Sequence, residues 1–182
     1  MSHRGPGARA YAGAVRLVKA AFGSAVFLVV APGVVAGLVP WLLTDWRTSD
    51  PPALLAVLGA VLIAVGTGVL LHSFVRFVVE GRGTPAPIAA TQRLVVGGVY
   101  RHVRNPMYLA VGATIVGQAL VLGRPVLLAY AAVFWAVVAT FVYSYEEPTL
   151  RARYGEDYVD YRRAVPAWWP RLRAWSPQPP RR

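Results

Sequence analysis

The chain has 182 residues, enough for one domain, of which 56% are hydrophobic and 15% are charged, a balance that indicates lipid rather than water around the fold. Its net charge of +11 is carried between long uncharged runs, which is typical of membrane orientation signals and disfavours the continuous basic stripe of a nucleic-acid-binding protein. The absence of cysteine excludes disulfides, thiolate nucleophiles and cysteine-based metal sites.

The first apolar run, residues 20–43, follows a basic leader over residues 1–19 and carries no charge. A helix rises about 1.5 Å per residue, so this run is long enough to cross a hydrocarbon core of about 30 Å. It is also longer than the apolar region of a cleaved signal peptide, so we expect an uncleaved helix. Pro32 and Pro40 should bend or end that helix, which neighbouring helices can accommodate in a membrane.

The second apolar run, residues 53–75, is interrupted only by His72 and is long enough for a second crossing. Small residues in a membrane helix let another helix approach closely. The run contains three such positions: Gly59, Gly66 and Gly68.

The third and fourth apolar runs, residues 107–123 and 125–145, are joined by Gly123-Arg124-Pro125. So short a link predicts an antiparallel helical hairpin. The third run is short for a full crossing, so the hairpin either lies shallow or is matched by local thinning of the bilayer. The chain as a whole is therefore expected to form an all-α, multi-pass membrane bundle of about four transmembrane helices.

The segment after residue 145 is charged and has four large residues at helical spacing: Tyr154, Tyr158, Tyr161 and Val165. We expect a C-terminal amphipathic helix whose aromatic face packs on the protein, in preference to base stacking. An interfacial anchor is indicated by tryptophans beside arginines: Trp168, Trp169, Trp175, Arg171 and Arg173. Residues 176–182 are expected to be a disordered tail.

Lysine and arginine concentrate in the leader, in the central polar loop over residues 76–106, and in the tail. The positive-inside rule places these three regions, and both termini, in the cytoplasm. The two short links then face the opposite side. The large excess of Arg over Lys is typical of a GC-rich bacterial genome, so the expected location is a bacterial cell membrane.

Several reaction classes lose support from the sequence. His3, His72 and His102 are too scattered to suggest a metal site, and the chain has no H-E-x-x-H, P-loop or G-x-S-x-G motif. The apolar runs contain no internal charged residue, whereas ion pathways and proton relays usually need them. Hydrolases, metalloenzymes, channels and transporters are accordingly disfavoured.

The polar segment from Gly97 to Tyr108 leads directly into the third run. Pro106 is pre-organised for the first turn of a helix, whose free N–H groups can bind a polar or anionic ligand. Arg104 and Tyr108 flank that helix start. An equally open interpretation is that these residues only anchor the loop at the membrane interface.

The Glu146-Glu147 pair follows the last run directly. Adjacent helical residues point about 100° apart, so one carboxylate can face a site. The alternative is a solvated helix start, where acidic residues suit the helix dipole.

The two motifs together resemble the isoprenylcysteine carboxyl methyltransferase family and the related phospholipid methyltransferases. The resemblance covers about residues 92–170 and consists of G-x-Y-x-x-x-R-[HN]-P-x-Y, a hairpin, and E-E-x-x-L-x-x-x-[FY]-G-x-x-Y-x-x-Y-x-x-x-V-P. It implies that S-adenosyl-L-methionine binds in a cytoplasmic pocket. The implied cofactor-binding residues are Gln92, Arg93, Leu94, Val95, Tyr100, Asn105, Pro106, Met107, Tyr108 and Glu146.

Two positions depart from the family pattern. Asn105 stands where the family usually has His, and its amide can still donate and accept hydrogen bonds. Val142 lies four residues before Glu146. Eukaryotic members have an Arg at this position, and that Arg resembles the contact to the substrate carboxylate. The resemblance therefore implies cofactor binding but does not imply a prenylcysteine acceptor.

The sequence thus predicts a single membrane domain that transfers a methyl group to a lipophilic acceptor. We expect Glu146 to hold the cofactor and Arg104 or Arg163 to hold the acceptor, without a metal. A methyltransferase of phospholipids or other hydrophobic metabolites, acting on nitrogen or oxygen, is the first alternative. A non-enzymatic membrane anchor or assembly protein is the second. Membrane lipids are the other expected partner, and the oligomeric state is left open.

Overall fold

The computed structural model describes residues 26, 30–80 and 94–176, apart from the side chains of residues 77 and 78. This part of the chain is helical and contains no strand, as the all-α prediction requires. The leader and all but Ser176 of the expected tail lie outside it. The helices are α1 (Val30–Thr44), α2 (Ala53–Val79), α3 (Pro106–Leu122), α4 (Val126–Phe141), α5 (Glu147–Tyr154) and α6 (Glu156–Ala164).

Two of the described helices are long and apolar enough to cross a membrane, over Ala53–Arg76 and Val126–Tyr154. The second of these is continuous, because a π-helical turn over Val142–Glu146 joins α4 to α5. Within the described residues α1 and α3 are apolar but shorter. The described part of the protein is therefore helical and has two candidate membrane spans.

Helix α1 continues past both of its prolines and ends at Thr44. It widens into a π-helical turn over Val34–Leu38 just before Pro40. Proline has no N–H and leaves a carbonyl one turn earlier without its helical donor. Side chains of other helices supply donors there: Tyr130 Oη donates to the Val35 carbonyl at 2.8 Å, and Gln118 Nε2 to the Ala36 carbonyl at 2.7 Å.

Helices α2 and α3 approach each other through glycine. A Cβ built on Gly59 would lie 2.5 Å from the Gly117 carbonyl oxygen, and one built on Gly66 would lie 2.7 Å from the Ala110 carbonyl oxygen. The prediction of a close helix contact is thus confirmed at these two glycines. It is not confirmed for Gly68: a Cβ built there has no neighbour within 4 Å among the described residues, because two further residues rotate it to the opposite side of the helix.

The predicted hairpin between the third and fourth runs is confirmed. Gly123 adopts the left-handed conformation with φ of 64° and ends α3, and α4 begins at Val126. The link between α1 and α2 lies beside this turn, where Ser49 N–H donates to the Leu122 carbonyl at 2.8 Å. Both short links are therefore at one end of the bundle.

The C-terminal aromatic stripe is divided between two helices. Gly155, with φ of 56°, interrupts the expected amphipathic helix, so that α5 ends at Tyr154 and α6 begins at Glu156. The predicted packing role is nevertheless confirmed: Tyr158, Tyr161 and Val165 are buried together against Leu94, Val96 and Trp175. This packing fixes the C-terminal segment to the central loop.

Candidate functional site

A glycine pair shapes the loop that leads to the site. Gly98 has φ of 55°, and a Cβ on it would lie 2.4 Å from His72 Nε2. The N–H of Gly97 donates to Glu80 Oε2 at 2.9 Å. Because only glycine tolerates this conformation and approach, the loop can turn tightly against α2 and direct Tyr100 inward.

Tyr100 is fixed from two sides. Its carbonyl accepts a hydrogen bond from Tyr161 Oη at 2.7 Å, and its side chain is hydrogen-bonded to Ser73 of α2. Burial raises the pKa of Tyr100 well above its ordinary value, against the smaller opposing effect of the Ser73 contact. The phenol is therefore a neutral hydrogen-bonding group at physiological pH.

The start of α3 contacts the second motif directly. Asn105 precedes the helix and Pro106 begins it, which places Tyr108 within the first turn. Tyr108 Oη donates to Glu146 Oε2 at 3.0 Å. This contact joins residues that are 38 positions apart in the chain.

Glu147 is a buried carboxylate at the centre of an ion-pair cluster with Arg104 and the more exposed Arg162. Its Oε1 is 2.6 Å from Arg104 Nη1, and its Oε2 is 3.1 Å from Arg162 Nη2. Arg104 Nη1 also donates to Tyr158 Oη at 3.1 Å. Glu147 is 5% exposed, so the alternative of a solvated helix start is wrong for this residue.

A half-open cavity of about 160 Å³ lies at this end of the bundle. One edge of it is polar and is formed by Tyr100, Arg104, Asn105, Tyr108 and Glu146. The wall is apolar and is formed by Ala31, Pro32, Val35, Leu70, Phe74, Pro106, Met107, Val111 and Phe134. Two buried donors of the polar edge, Arg104 Nε and Asn105 Nδ2, lack a hydrogen-bond partner among the described residues.

Six of the ten residues expected to bind the cofactor line this cavity, and two other described ones do not. Leu94 packs against the buried aromatic cluster, and Val95 is buried outside the cavity lining. Gln92 and Arg93 lie outside the described residues.

Arg163 requires a correction. It is exposed, and its Nη1 is 3.7 Å from Oδ1 of Asp160, which is exposed as well. The adjacent Arg162 points instead to Glu147, because neighbouring residues of a helix face different directions. The structure therefore does not bring Arg163 to the cavity. Val142 does not line it either, since its side chain is buried within the bundle.

The sequence did not identify the apolar wall or the partners of Glu147. Leu70 and Phe74 are one turn apart on α2, but that helix is apolar on all sides and so offers no stripe that marks an inner face. The pairing of Glu147 with Arg104 joins residues 43 positions apart, which no local spacing reveals. Among the described residues no three potential metal ligands lie together.

Comparison with known proteins identifies the family. The family model described as phospholipid methyltransferase matches residues 54–157, more than half of the chain. Protein-S-isoprenylcysteine O-methyltransferase B of Arabidopsis thaliana is 35% identical over 79 residues, which are 43% of this chain and 40% of that protein. The chain thus matches less than half the length of this relative. No solved structure matches the chain. The matched region includes Tyr108 and Glu146, which are hydrogen-bonded to each other. Because the family model matches more than half of the chain, the chain belongs to the phospholipid methyltransferase family of membrane methyltransferases.

Proposed function

We propose that the protein uses S-adenosyl-L-methionine to methylate a lipophilic acceptor at the cytoplasmic surface of the membrane. The observation that carries the proposal is the cavity, whose polar edge and apolar wall meet at Tyr108 and Glu146. A polar cofactor and a lipophilic acceptor need such adjoining surfaces, because methyl transfer depends mainly on placing two reactants about 3–3.5 Å apart.

The polar edge fits the chemical groups of the cofactor. The buried donors Arg104 Nε and Asn105 Nδ2 suit a carboxylate, and the carboxylate of Glu146 suits an amino or hydroxyl group. When bound, the cofactor supplies a methyl group on a positively charged sulfur. Tyr100 and Tyr108 close the polar edge. We retain Gln92 and Arg93 as proposed cofactor contacts on the family pattern alone.

The apolar wall suits the acceptor. It is built from α1, α2, α3 and α4, so a lipophilic molecule can reach it from the hydrocarbon region. We propose that α1 and α3 are two further membrane segments, which makes four. The distribution of Lys and Arg supports a cytoplasmic site and cytoplasmic termini.

The charges at the cavity favour an amine or hydroxyl acceptor over a carboxylate. Among the described lining residues the guanidinium is that of Arg104, which pairs with Glu147 and which we assign to the carboxylate of the cofactor, so no second cation remains for the acceptor. A carboxylate held here without a cation would lose its hydration without compensation. The Glu146 carboxylate can instead accept the proton that an amine or hydroxyl releases. A phospholipid or hydrophobic-metabolite methyltransferase is therefore the second candidate within this proposal.

Calorimetry of the detergent-solubilised protein tests cofactor binding. Glu146→Ala and Tyr100→Ala should each weaken S-adenosyl-L-methionine binding by about 10- to 100-fold, since a hydrogen bond to a charged group contributes about 1.5–3 kcal/mol. Glu156→Ala, at an exposed acidic residue of α6, should leave affinity unchanged. Equal affinity in both site variants and the wild type would contradict the proposed roles. No binding by the wild type would favour a non-enzymatic membrane protein.

Methyl transfer from labelled cofactor tests the acceptor. We expect stronger turnover of a lipid amine or hydroxyl, such as phosphatidylethanolamine, than of a farnesylcysteine analogue. Comparable turnover of farnesylcysteine would show that the charge argument is wrong. Glu146→Gln removes the proposed proton acceptor, so it should reduce turnover of the amine at saturating cofactor.

A further inference from the structure

The chain after α6 forms a strap over residues 166–175 that has no regular secondary structure. Three backbone hydrogen bonds attach this strap to the loop of the candidate site. Arg104 N–H donates to the Pro166 carbonyl at 2.9 Å, and Arg171 N–H donates to the His102 carbonyl at 2.9 Å. Trp175 N–H donates to the carbonyl of Arg101 at 3.0 Å. The position of the strap and that of the Arg104 loop are therefore coupled.

The strap is also attached to a membrane-crossing helix. Trp168 Nε1 donates to Tyr143 Oη at 2.8 Å, and the Trp168 ring packs edge-on against Trp135 of α4 with 5.4 Å between centroids. Tyr143 is half exposed at the end of the apolar part of this helix, where interfacial aromatic residues are usually found. The strap thus lies beside the level at which the helix leaves the hydrocarbon region.

The strap tryptophans do not all have the interfacial role expected from the sequence. Trp168 packs on α4, and Trp175 packs on Tyr161 with 5.4 Å between ring centroids. The remaining large apolar side chains of the strap point away from the protein: Trp169 is 81% exposed and Leu172 is 98% exposed. Arg173, next to Leu172, is exposed as well.

We propose that the strap rests on the membrane surface at the site end of the bundle, with Trp169 and Leu172 inserted among the lipid headgroups. Contact between such large apolar side chains and water is unfavourable, and the indole of a tryptophan is well suited to the headgroup region. Arg173 supplies the positive charge that lipid phosphates attract. The occupant is the bilayer in which the helices already lie, because Trp168 keeps the strap against the crossing helix. Contact with lipid then holds the strap, and the strap holds the loop that carries Arg104.

Spin labelling tests this proposal independently of methyl transfer. The natural chain has no cysteine, so Leu172→Cys and Trp169→Cys each provide one labelling site. Each labelled protein is reconstituted into vesicles of phosphatidylcholine and phosphatidylglycerol. Collision rates are measured with oxygen, which concentrates in lipid, and with a water-soluble nickel complex. Glu156→Cys, on the exposed surface of α6, is the matched control.

Relative to the label at position 156, labels at positions 169 and 172 should collide more often with oxygen and less often with the nickel complex. Nickel collision rates at 169 and 172 equal to the rate at 156 would place the strap in water and overturn the proposal. Shielding of both labels from both reagents would also overturn it, because protein, such as a second copy of the chain, would then cover the strap. Both native side chains are largely exposed, so their replacement should not disturb folding.

Discussion

Two adjacent carboxylates at the site have different surroundings. Glu146 lines the cavity and accepts a hydrogen bond from Tyr108. Glu147 is buried beside it and pairs with Arg104 and Arg162. Because successive helical residues point about 100° apart, the carboxylate of Glu146 is directed to the cavity while that of Glu147 pairs with the guanidinium of Arg104.

Glu147→Gln is expected to reduce both stability and cofactor affinity. Removing one partner of a buried ion pair costs about 3–5 kcal/mol, and less where a partner is exposed, as Arg162 is here. Arg104 would also lose the contact that orients it toward the cavity. The measurements are the thermal unfolding midpoint in detergent and calorimetry with S-adenosyl-L-methionine.

Arg162→Ala is the matched control, since it removes the exposed partner and leaves the Arg104 pair intact. It should have the smaller effect on both quantities. Wild-type cofactor affinity in Glu147→Gln would mean that Arg104 keeps its position without Glu147.

At the scale of the helices, a π-helical turn occurs shortly before a proline in two places. Val34–Leu38 precedes Pro40, and Val142–Glu146 precedes Pro148. The proline ring clashes with the carbonyl four residues earlier, and a wider turn moves that carbonyl away. Both turns reach the cavity, through Val35 and Glu146. The prolines thus influence where the cavity residues point.

Pro148→Ala restores an N–H and removes the clash, so we expect the turn over Val142–Glu146 to tighten toward an α-helix. Loss of the extra residue in the turn would rotate Glu146 relative to α5 by about 100° and separate it from Tyr108. Cofactor affinity should therefore fall while helix content by circular dichroism is retained. Pro125→Ala, at the exposed start of α4, is the control. Unchanged affinity in Pro148→Ala would show that the turn persists without the proline.

Some features of the helices follow from the sequence and others do not. The apolar runs and the turn at Gly123 were predictable because length, charge and glycine are local properties. The continuation of the last long helix to Tyr154 could not be predicted. Two acidic residues followed by a proline usually mark the end of an apolar helix, and the buried pairing of Glu147 with Arg104 is not visible in the sequence. The true end is at Gly155, whose positive φ breaks the helix.

The candidate site was predictable in part for the same reason. Tyr100, Asn105 and Tyr108 lie within one short motif, and the structure places all three at the cavity. The choice between Arg162 and Arg163 depends on helix rotation, which a short charged helix does not reveal. Which arginine faces the site therefore depends on its pairing with a residue distant in the chain, such as that of Arg162 with Glu147.

At the scale of the whole molecule, the two ends of the bundle differ in composition. The link before Ala53 and the hairpin turn at Gly123 meet at one end, where Arg124 Nε donates to the Arg47 carbonyl. The cavity, the ion-pair cluster and the strap are at the other end. This separation is what a single orientation across the membrane requires.

Cysteines introduced at the two ends should be labelled from opposite sides. We expect Glu156→Cys to react with a membrane-impermeant maleimide only when the reagent has access to the cytoplasm. Asp50→Cys, on the exposed link, should react only from the other side. The reverse pattern would invert the orientation, and labelling of both from one side would contradict the crossing by α2.

The close approach at Gly59 and Gly117 has a consequence for how this protein can evolve. Backbones in direct contact leave no room for side chains, so α2 and α3 tolerate little change along that seam. Helix α1 is held differently. The side chains of Tyr130 and Gln118 donate hydrogen bonds to its backbone carbonyls, which any amino acid provides. Substitutions at Ala31 or Val35 can therefore reshape the cavity wall while these hydrogen bonds remain. The cavity wall therefore has room to vary on α1 without loss of the hydrogen bonds that hold this helix.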